Sequence, residues 1–188
     1  MRVIAGSKKG FRLKGPKSKD IRPTEDRIKE SLFNILGYID ENSLVLDLFA
    51  GTGSIGIEFL SRGAKKVYFV DKSYESIRCI DENLKHTCLK DSAEILKKDA
   101  FKALDLLREK DIKFDYIFID PPYGRNLLER VLIKIDEVNI LREEGLIVLE
   151  HERNYVLNHI FNSLIKIDSR NYGDKSLSFF KKRDRREK

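Results

Sequence analysis

Asp120, Pro121, Pro122 and Tyr123 follow directly on the apolar run at residues 114–119. Proline has no N–H, so this corner presents carbonyls and a carboxylate and acts as an acceptor-only clamp. Its complement is an NH2 group with two donors, and Tyr123 adds an aromatic face for a planar base. The exocyclic amine of a nucleobase satisfies both. Such an amine is a poor nucleophile because its lone pair is conjugated into the ring. Hydrogen bonds from its two hydrogens to the Asp120 carboxylate and the Pro121 carbonyl draw the nitrogen toward tetrahedral geometry and aim the lone pair. The nitrogen becomes cationic only as it takes up a new group, so Asp120 stabilises charge that develops in the transition state and can accept the proton afterwards. A rigid turn with a core tyrosine is the bland reading of the same four residues.

A second stretch supplies the group donor. Gly51, Gly53 and Gly56 satisfy G-x-G-x-x-G after an apolar run, and Asp71 closes the next run twenty residues after Gly51, where an acid can bond both hydroxyls of a ribose. This pattern predicts a nucleoside-containing cofactor. Asp47 argues against a dinucleotide, because a carboxylate just before the loop would repel a pyrophosphate. S-adenosylmethionine (SAM), with a sulfonium, an ammonium and no phosphate, suits an acidic loop. Asp99 follows the next apolar run and is placed to accept from the adenine amine, or simply to cap a helix. The expected cofactor contacts are Asp47, Phe49, Gly51, Thr52, Gly53, Asp71, Lys72, Asp99 and Ala100.

The elements that must position these residues can be read from periodicity. Short apolar runs at 44–48, 66–70, 93–96, 114–119 and 145–149 alternate with helical spacings such as Ile77, Ile80, Leu84 and Leu128, Val131, Leu132, Ile135. Alternation of this kind predicts an α/β fold with a parallel sheet covered on both faces and ligands at the carboxyl ends of its strands. Residues 164–170 and 176–181 flank Asn171, Tyr172, Gly173, Asp174 and Lys175, which reads as an antiparallel hairpin on one sheet edge. Residues 2–5 and 11–14 read as a small basic hairpin, and Thr24 as the N-cap of a helix whose apolar face holds Ile28, Leu32, Ile35 and Leu36. The linker-like stretch 15–23 divides the chain into an N-terminal extension, 1–23, and a main domain, 24–188.

Charge is segregated within an overall +6: residues 1–29 carry ten Lys/Arg against three Asp/Glu, residues 181–188 six against two, and the stretch between is net −5. Basic ends on an acidic body form the electrostatic footprint of a protein that meets a phosphate backbone, or else a pair of solvated tails. Lys8, Lys9, Arg12 and Lys14 are the expected phosphate contacts. Two cysteines and three histidines give neither a disulfide framework nor a metal-ligand spacing. No segment reads as a signal peptide or membrane span, so a cytoplasmic protein is expected.

The stretches M1-R-V-I-A-G6, R22-P-T-E-D-R-I-K-E-S-L-F-N34, D47-L-F-A-G-T-G53, D120-P-P-Y123 and Y172-G-D174 together resemble the bacterial 16S ribosomal RNA guanine-N2 methyltransferases that modify the small subunit. The resemblance implies a Rossmann-like SAM-dependent methyltransferase fold, with a mostly parallel seven-stranded sheet ending in an antiparallel hairpin. It further implies 16S ribosomal RNA, within a small-subunit assembly particle, as the partner of a monomeric enzyme, with the region of Arg22, Thr24 and Asn34 near the methionine end of SAM and the target base. Guanine N2 rests on this resemblance, whereas the residues themselves specify only an exocyclic amine. The rival readings are a DNA adenine-N6 or cytosine-N4 methyltransferase, a noncatalytic RNA-binding protein and, more remotely, an NAD-dependent oxidoreductase. A sequence-specific DNA reader needs a module to contact base edges, and the 65 residues after Tyr123 leave little room for one.

Overall fold

A computed structural model describes residues 1–15, 26–122 and 127–183. Arg22, Thr24 and Tyr123 therefore lie outside the described residues. The sheet is built from β1 (Leu44–Leu48), β2 (Lys66–Asp71), β3 (Ala93–Lys97), β4 (Phe114–Ile119), β5 (Leu141–Glu152), β6 (Ile160–Phe161), β7 (Leu164–Tyr172) and β8 (Lys175–Lys182), in the order β3-β2-β1-β4-β5-β8-β7-β6. The first five strands in that order are parallel and the last three are antiparallel. The seven strands expected are joined by an eighth, β6, whose two residues are too short to leave a period in the sequence.

Both faces are covered because strands such as β1 and β4 are apolar on both sides. The helices α4 (Ala100–Glu109) and α5 (Leu127–Val138) pack on one face against Leu46, Leu48, Ile117, Ile119, Ile147 and Leu149. On the other, α1 (Asp26–Leu36), α2 (Ser54–Ser61) and α3 (Tyr74–His86) pack against Val45, Val67, Phe69, Phe118, Val148 and Phe179. This assignment fixes which strand-end side chains share a face.

Three local expectations need correction. β5 begins at Leu141 rather than Gly145, because exposed Arg142, Glu143 and Glu144 bulge out between the pairs Phe114–Leu141 and Tyr116–Leu146 and hide the strand period. On α1 the buried side holds Ile28, Lys29, Leu32 and Phe33, while Ile35 is exposed. The N-terminal hairpin is reduced to one antiparallel bridge, Arg2 to Arg12, with Val3 N–H donating to Phe11 O at 2.9 Å. It goes no further because the next amides, of Ile4 and Ala5, donate to the Glu58 carboxylate at 2.8 and 2.9 Å instead of to a partner strand. Val3 and Leu13 are nevertheless buried in the core of that face.

Candidate active site

The loop after β1 is a left-handed corner. Phe49 adopts φ 67°, which a bulky residue rarely does, and Gly53 adopts φ 75° as it leads into α2. Gly56 serves a different end: a Cβ there would sit 2.2 Å from the Phe69 ring, so only glycine lets α2 lie this close to β2. The loop's amides are already engaged. Ala50 N–H donates to Val70 O at 2.9 Å, Gly53 N–H to Ala50 O at 2.7 Å, Gly51 N–H to Asp71 Oδ2 at 2.9 Å and Gly56 N–H to Asp47 Oδ2 at 2.9 Å. A pyrophosphate site needs such donors to face the ligand. Here two of the four, Gly51 and Gly56, face the protein's own acids and the other two face backbone carbonyls, which leaves a close-approach cradle edged by carboxylate and suits a ligand without phosphate.

Asp71 ends β2 with its second oxygen accepting from Ser73 N–H at 2.8 Å, and it keeps part of its surface open. Since each carboxylate oxygen has two lone pairs, acceptor capacity for ribose hydroxyls remains. Asp47 behaves differently from expectation. It is 2% exposed, and its carboxyl braces the start of α2 from below rather than lining an open cleft. Burial pushes its pKa up to about 7, with the neighbouring Asp71 adding to the rise and the Gly56 amide opposing it. Asp99 caps α4 through Phe101 N–H at 3.0 Å and remains exposed. Thr52 and Ala100 are buried, with the Thr52 hydroxyl turned toward the Met1 sulfur at 3.4 Å, whereas Lys72 is exposed.

Asp120 stands one residue beyond β4, its own N–H reaching back to Leu48 O at 3.4 Å. Strand pairing aligns Leu48 with both Val70 and Ile119, so the next residues, Asp71 and Asp120, lie level on opposite sides of the glycine loop. They are two strand spacings apart, roughly 10 Å. By alternation both point to the α1–α2–α3 face. Pairing of Ile119 with Leu149 then sets Glu150 beside Asp120, and Lys175 on β8 bonds the Glu150 carboxylate. Burial first, then the charges of Glu150 and Asp47, raise the Asp120 pKa to about 8, against a lowering pull from Lys175. Among the described residues no group donates a hydrogen bond to its carboxyl. Pro121 and Pro122 follow at the surface with no backbone donor to offer.

The expected RNA contacts do not converge on this row. Lys8 N–H bonds Ser61 Oγ at 2.9 Å at the last residue of α2, the end remote from the glycine loop, and Lys9 is exposed beside it. Lys14 lies nearer the loop. Its backbone is held by the Asn83 amide, which also donates to Thr52 O at 3.0 Å, and its ammonium pairs with Glu82 at 3.1 Å. Sequence reading missed Lys29, Glu58, Asn83, Glu150 and Lys175. Three of them were visible as charges inside apolar periods: Lys29 beside Ile28, Glu58 between Ile57 and Phe59, and Glu150 after Ile147, Val148 and Leu149. Among the described residues no cluster of His, Cys, Asp and Glu is arranged to hold a metal, and no helix is long and apolar enough to cross a membrane.

Residues 1–181 match the profile of the family described as Conserved hypothetical protein 95. YlbH of Bacillus subtilis, provisionally named as an rRNA methyltransferase, is 41% identical over 97% of this chain and 100% of its own length. Ribosomal RNA small subunit methyltransferase D of Haemophilus influenzae is 38% identical over 82% of this chain and 80% of its own. Among solved structures, a provisionally named Escherichia coli methyltransferase superposes with a TM-score of 0.85 at 27% identity, covering 97% of each chain. A Thermus thermophilus protein of unassigned function reaches 0.84 at 27% identity, over 96% of this chain and 99% of its own.

Proposed function

The chain belongs to the Conserved hypothetical protein 95 family, and from that premise we propose that it is a SAM-dependent methyltransferase acting on the exocyclic N2 amine of a guanine in 16S ribosomal RNA. The observation that carries the reading is the level placement of Asp71 and Asp120 across a glycine loop whose amides are occupied. In this reading Asp71 holds the ribose and residues 49–53 pack against the cofactor. Asp99 and Ala100 border its adenine, with Lys72 beside the ribose. Asp47 supports the loop from beneath.

SAM, when bound, supplies an electrophilic methyl on a sulfonium: the amine nitrogen takes the methyl as the C–S bond breaks and the electron pair stays on sulfur. Asp120 and the Pro121 carbonyl accept hydrogen bonds from the two amine hydrogens, and Pro122 keeps the corner rigid. Tyr123 stacks on the guanine. After transfer the nitrogen is cationic, and its proton passes to the ionised form of Asp120, which burial makes a stronger base than an ordinary aspartate. Residues 24–188 form the methyltransferase domain, and residues 1–23 extend it toward the RNA together with Arg22 and Thr24. The enzyme acts as a cytoplasmic monomer on small-subunit assembly particles.

The test is methyl transfer from labelled SAM by the purified protein, offered naked 16S ribosomal RNA, immature and mature small subunits, and duplex DNA, followed by mass mapping of the modified nucleotide. N2-methylguanine in 16S RNA is expected. Label confined to DNA adenine or cytosine overturns the substrate, and no transfer to any of them overturns the enzyme.

A further inference from the structure

Beyond the clamp itself, the strand ends carry a buried charge pair that the proposed chemistry does not use. Glu150 is 2% exposed near the end of β5 and is bonded by Lys175, whose side chain is 16% exposed at the start of β8. Glu150 pairs in register with Leu177, so Lys175 reaches it diagonally, two residues along the neighbouring strand. On its other side Glu150 is one strand spacing from Asp120. A purely structural need would be met at lower desolvation cost by two apolar residues, since a buried ion pair seldom gains stability over a packed hydrophobic pair. The position of this one, against the only acid of the clamp, points to another use.

We infer that Glu150 and Lys175 are positioning residues that set the charge of Asp120: Lys175 offsets Glu150, and so lowers the pH at which Asp120 becomes an anion able to accept from the substrate amine. The inference rests on the proposed role of Asp120. Among the described residues, other ionisable groups on that face include Asp47 on β1, Asp71 on β2, Tyr116 on β4, Glu152 on β5, Tyr172 on β7, and Lys29, Glu58 and Arg62 from α1 and the α2 end. Asp47 adds to the negative potential, Asp71 is two strands away, and Lys29 and Glu58 pair with each other at 3.5 Å. Lys175 is thus the cation that offsets the acids around Asp120 among the described residues. Its effect on Asp120 is opposite in sign to that of Glu150.

The experiment follows the Asp120 carboxyl carbon by NMR through a pH titration of the ligand-free protein, its signal assigned by loss in Asp120→Asn. Lys175→Met should move the midpoint up by about one pH unit or more, as for an acid left beside an uncompensated carboxylate. Glu150→Gln with Lys175 intact should move it down, and Glu150→Gln/Lys175→Met should return it to near the wild-type value. The acid limb of kcat/KM for ribosomal RNA should shift in parallel, with roughly tenfold loss at pH 7 in Lys175→Met that is recovered at high pH. If Lys175→Met does not fold, Glu150→Gln and the charge-keeping Lys175→Arg, expected to titrate like wild type, carry the same test. A midpoint that stays put in both Lys175→Met and Glu150→Gln overturns the inference. Wild-type protein that titrates as described yet transfers no methyl to RNA overturns the proposed function instead.

Discussion

Two buried charge clusters sit on the same face of the sheet, and they are built on opposite principles. Around Glu58 every demand is met: its carboxylate accepts from the Ile4 and Ala5 amides and from Arg62 Nε at 2.9 Å, and it pairs with Lys29, whose ammonium also bonds Arg2 O and Ser54 Oγ. Burial pushes the Lys29 pKa down, and the charges of Glu58 and Asp26 oppose it. Among the described residues the acids around Asp120 outnumber the cations, and none donates to the carboxyl. Low-dielectric surroundings strengthen a satisfied network and penalise an unsatisfied one. The first cluster therefore ties the N-terminal segment to the domain, while the second keeps the acceptor capacity that the proposed chemistry uses.

The comparison breaks most sharply at Asp120. Asp120→Ala leaves the loop, the prolines and the sheet intact, so SAM affinity by calorimetry and the far-UV spectrum should not change. Methyl transfer should fall by roughly two to four orders of magnitude, as when a developing charge loses its partner. Asp120→Asn, which keeps an acceptor oxygen without the charge, should fall between. Transfer at the wild-type rate in the Ala variant would make the corner a rigid turn and nothing more.

Glu58→Ala should act through stability. It removes the buried carboxylate paired with Lys29 and leaves two amides without acceptors, an expected cost of about 3–5 kcal/mol. Urea denaturation should show that loss, and hydrogen exchange should show Ile4 and Ala5 unprotected. A variant as stable as wild type would mean that the N-terminal segment is held elsewhere.

The Asp120 cluster should also show itself in how stability depends on pH. The folded chain holds the Asp120 proton up to about pH 8, whereas an unfolded aspartate releases it near 3.8. Folded protein thus binds more protons between those values, and the stability this group contributes is full below the lower value and lost as pH rises toward the higher. The Asn variant has no such loss. Its stability relative to wild type should rise from pH 4 to pH 8.5 in denaturant titrations, whereas an equal difference at both ends would place the titration elsewhere.

Much of this was legible beforehand. The βα alternation, the loop at residues 49–53, Asp71 and the Asp-Pro-Pro corner all follow from local period and residue chemistry, and the sheet carries them where the pattern requires. Less was legible where function depends on register between distant segments. That Glu150 stands beside Asp120 is a consequence of β4–β5 pairing across a bulge, and that Lys175 reaches Glu150 depends on an antiparallel hairpin two strands on. Asp47 departs from expectation for the same reason: its type suggests a ligand contact, but α2 closes over it and brings the Gly56 amide to its carboxyl.

The smallest effect expected is also the one that separates the anchoring of the N-terminal segment from its proposed part in RNA binding. Glu58 anchors that segment through its backbone, so its side chains Lys8, Lys9, Arg12 and Lys14 are left outward, with Lys9, Arg12 and Lys14 exposed. Replacing all four by Ala should spare stability and SAM affinity, because the backbone hydrogen bonds that hold the segment are untouched. RNA binding should weaken, and the slope of log affinity against log salt should flatten by about 0.7–0.9 for each phosphate that the variant no longer neutralises. The total should fall short of four such steps, since the Lys14 ammonium is already paired with Glu82 and releases fewer counterions on binding. With RNA at saturation the rate of transfer should be that of wild type, because Lys8 and Lys9 lie at the end of α2 away from the glycine loop. An unchanged salt slope would make these cations a solvated surface and leave the segment only its anchoring role.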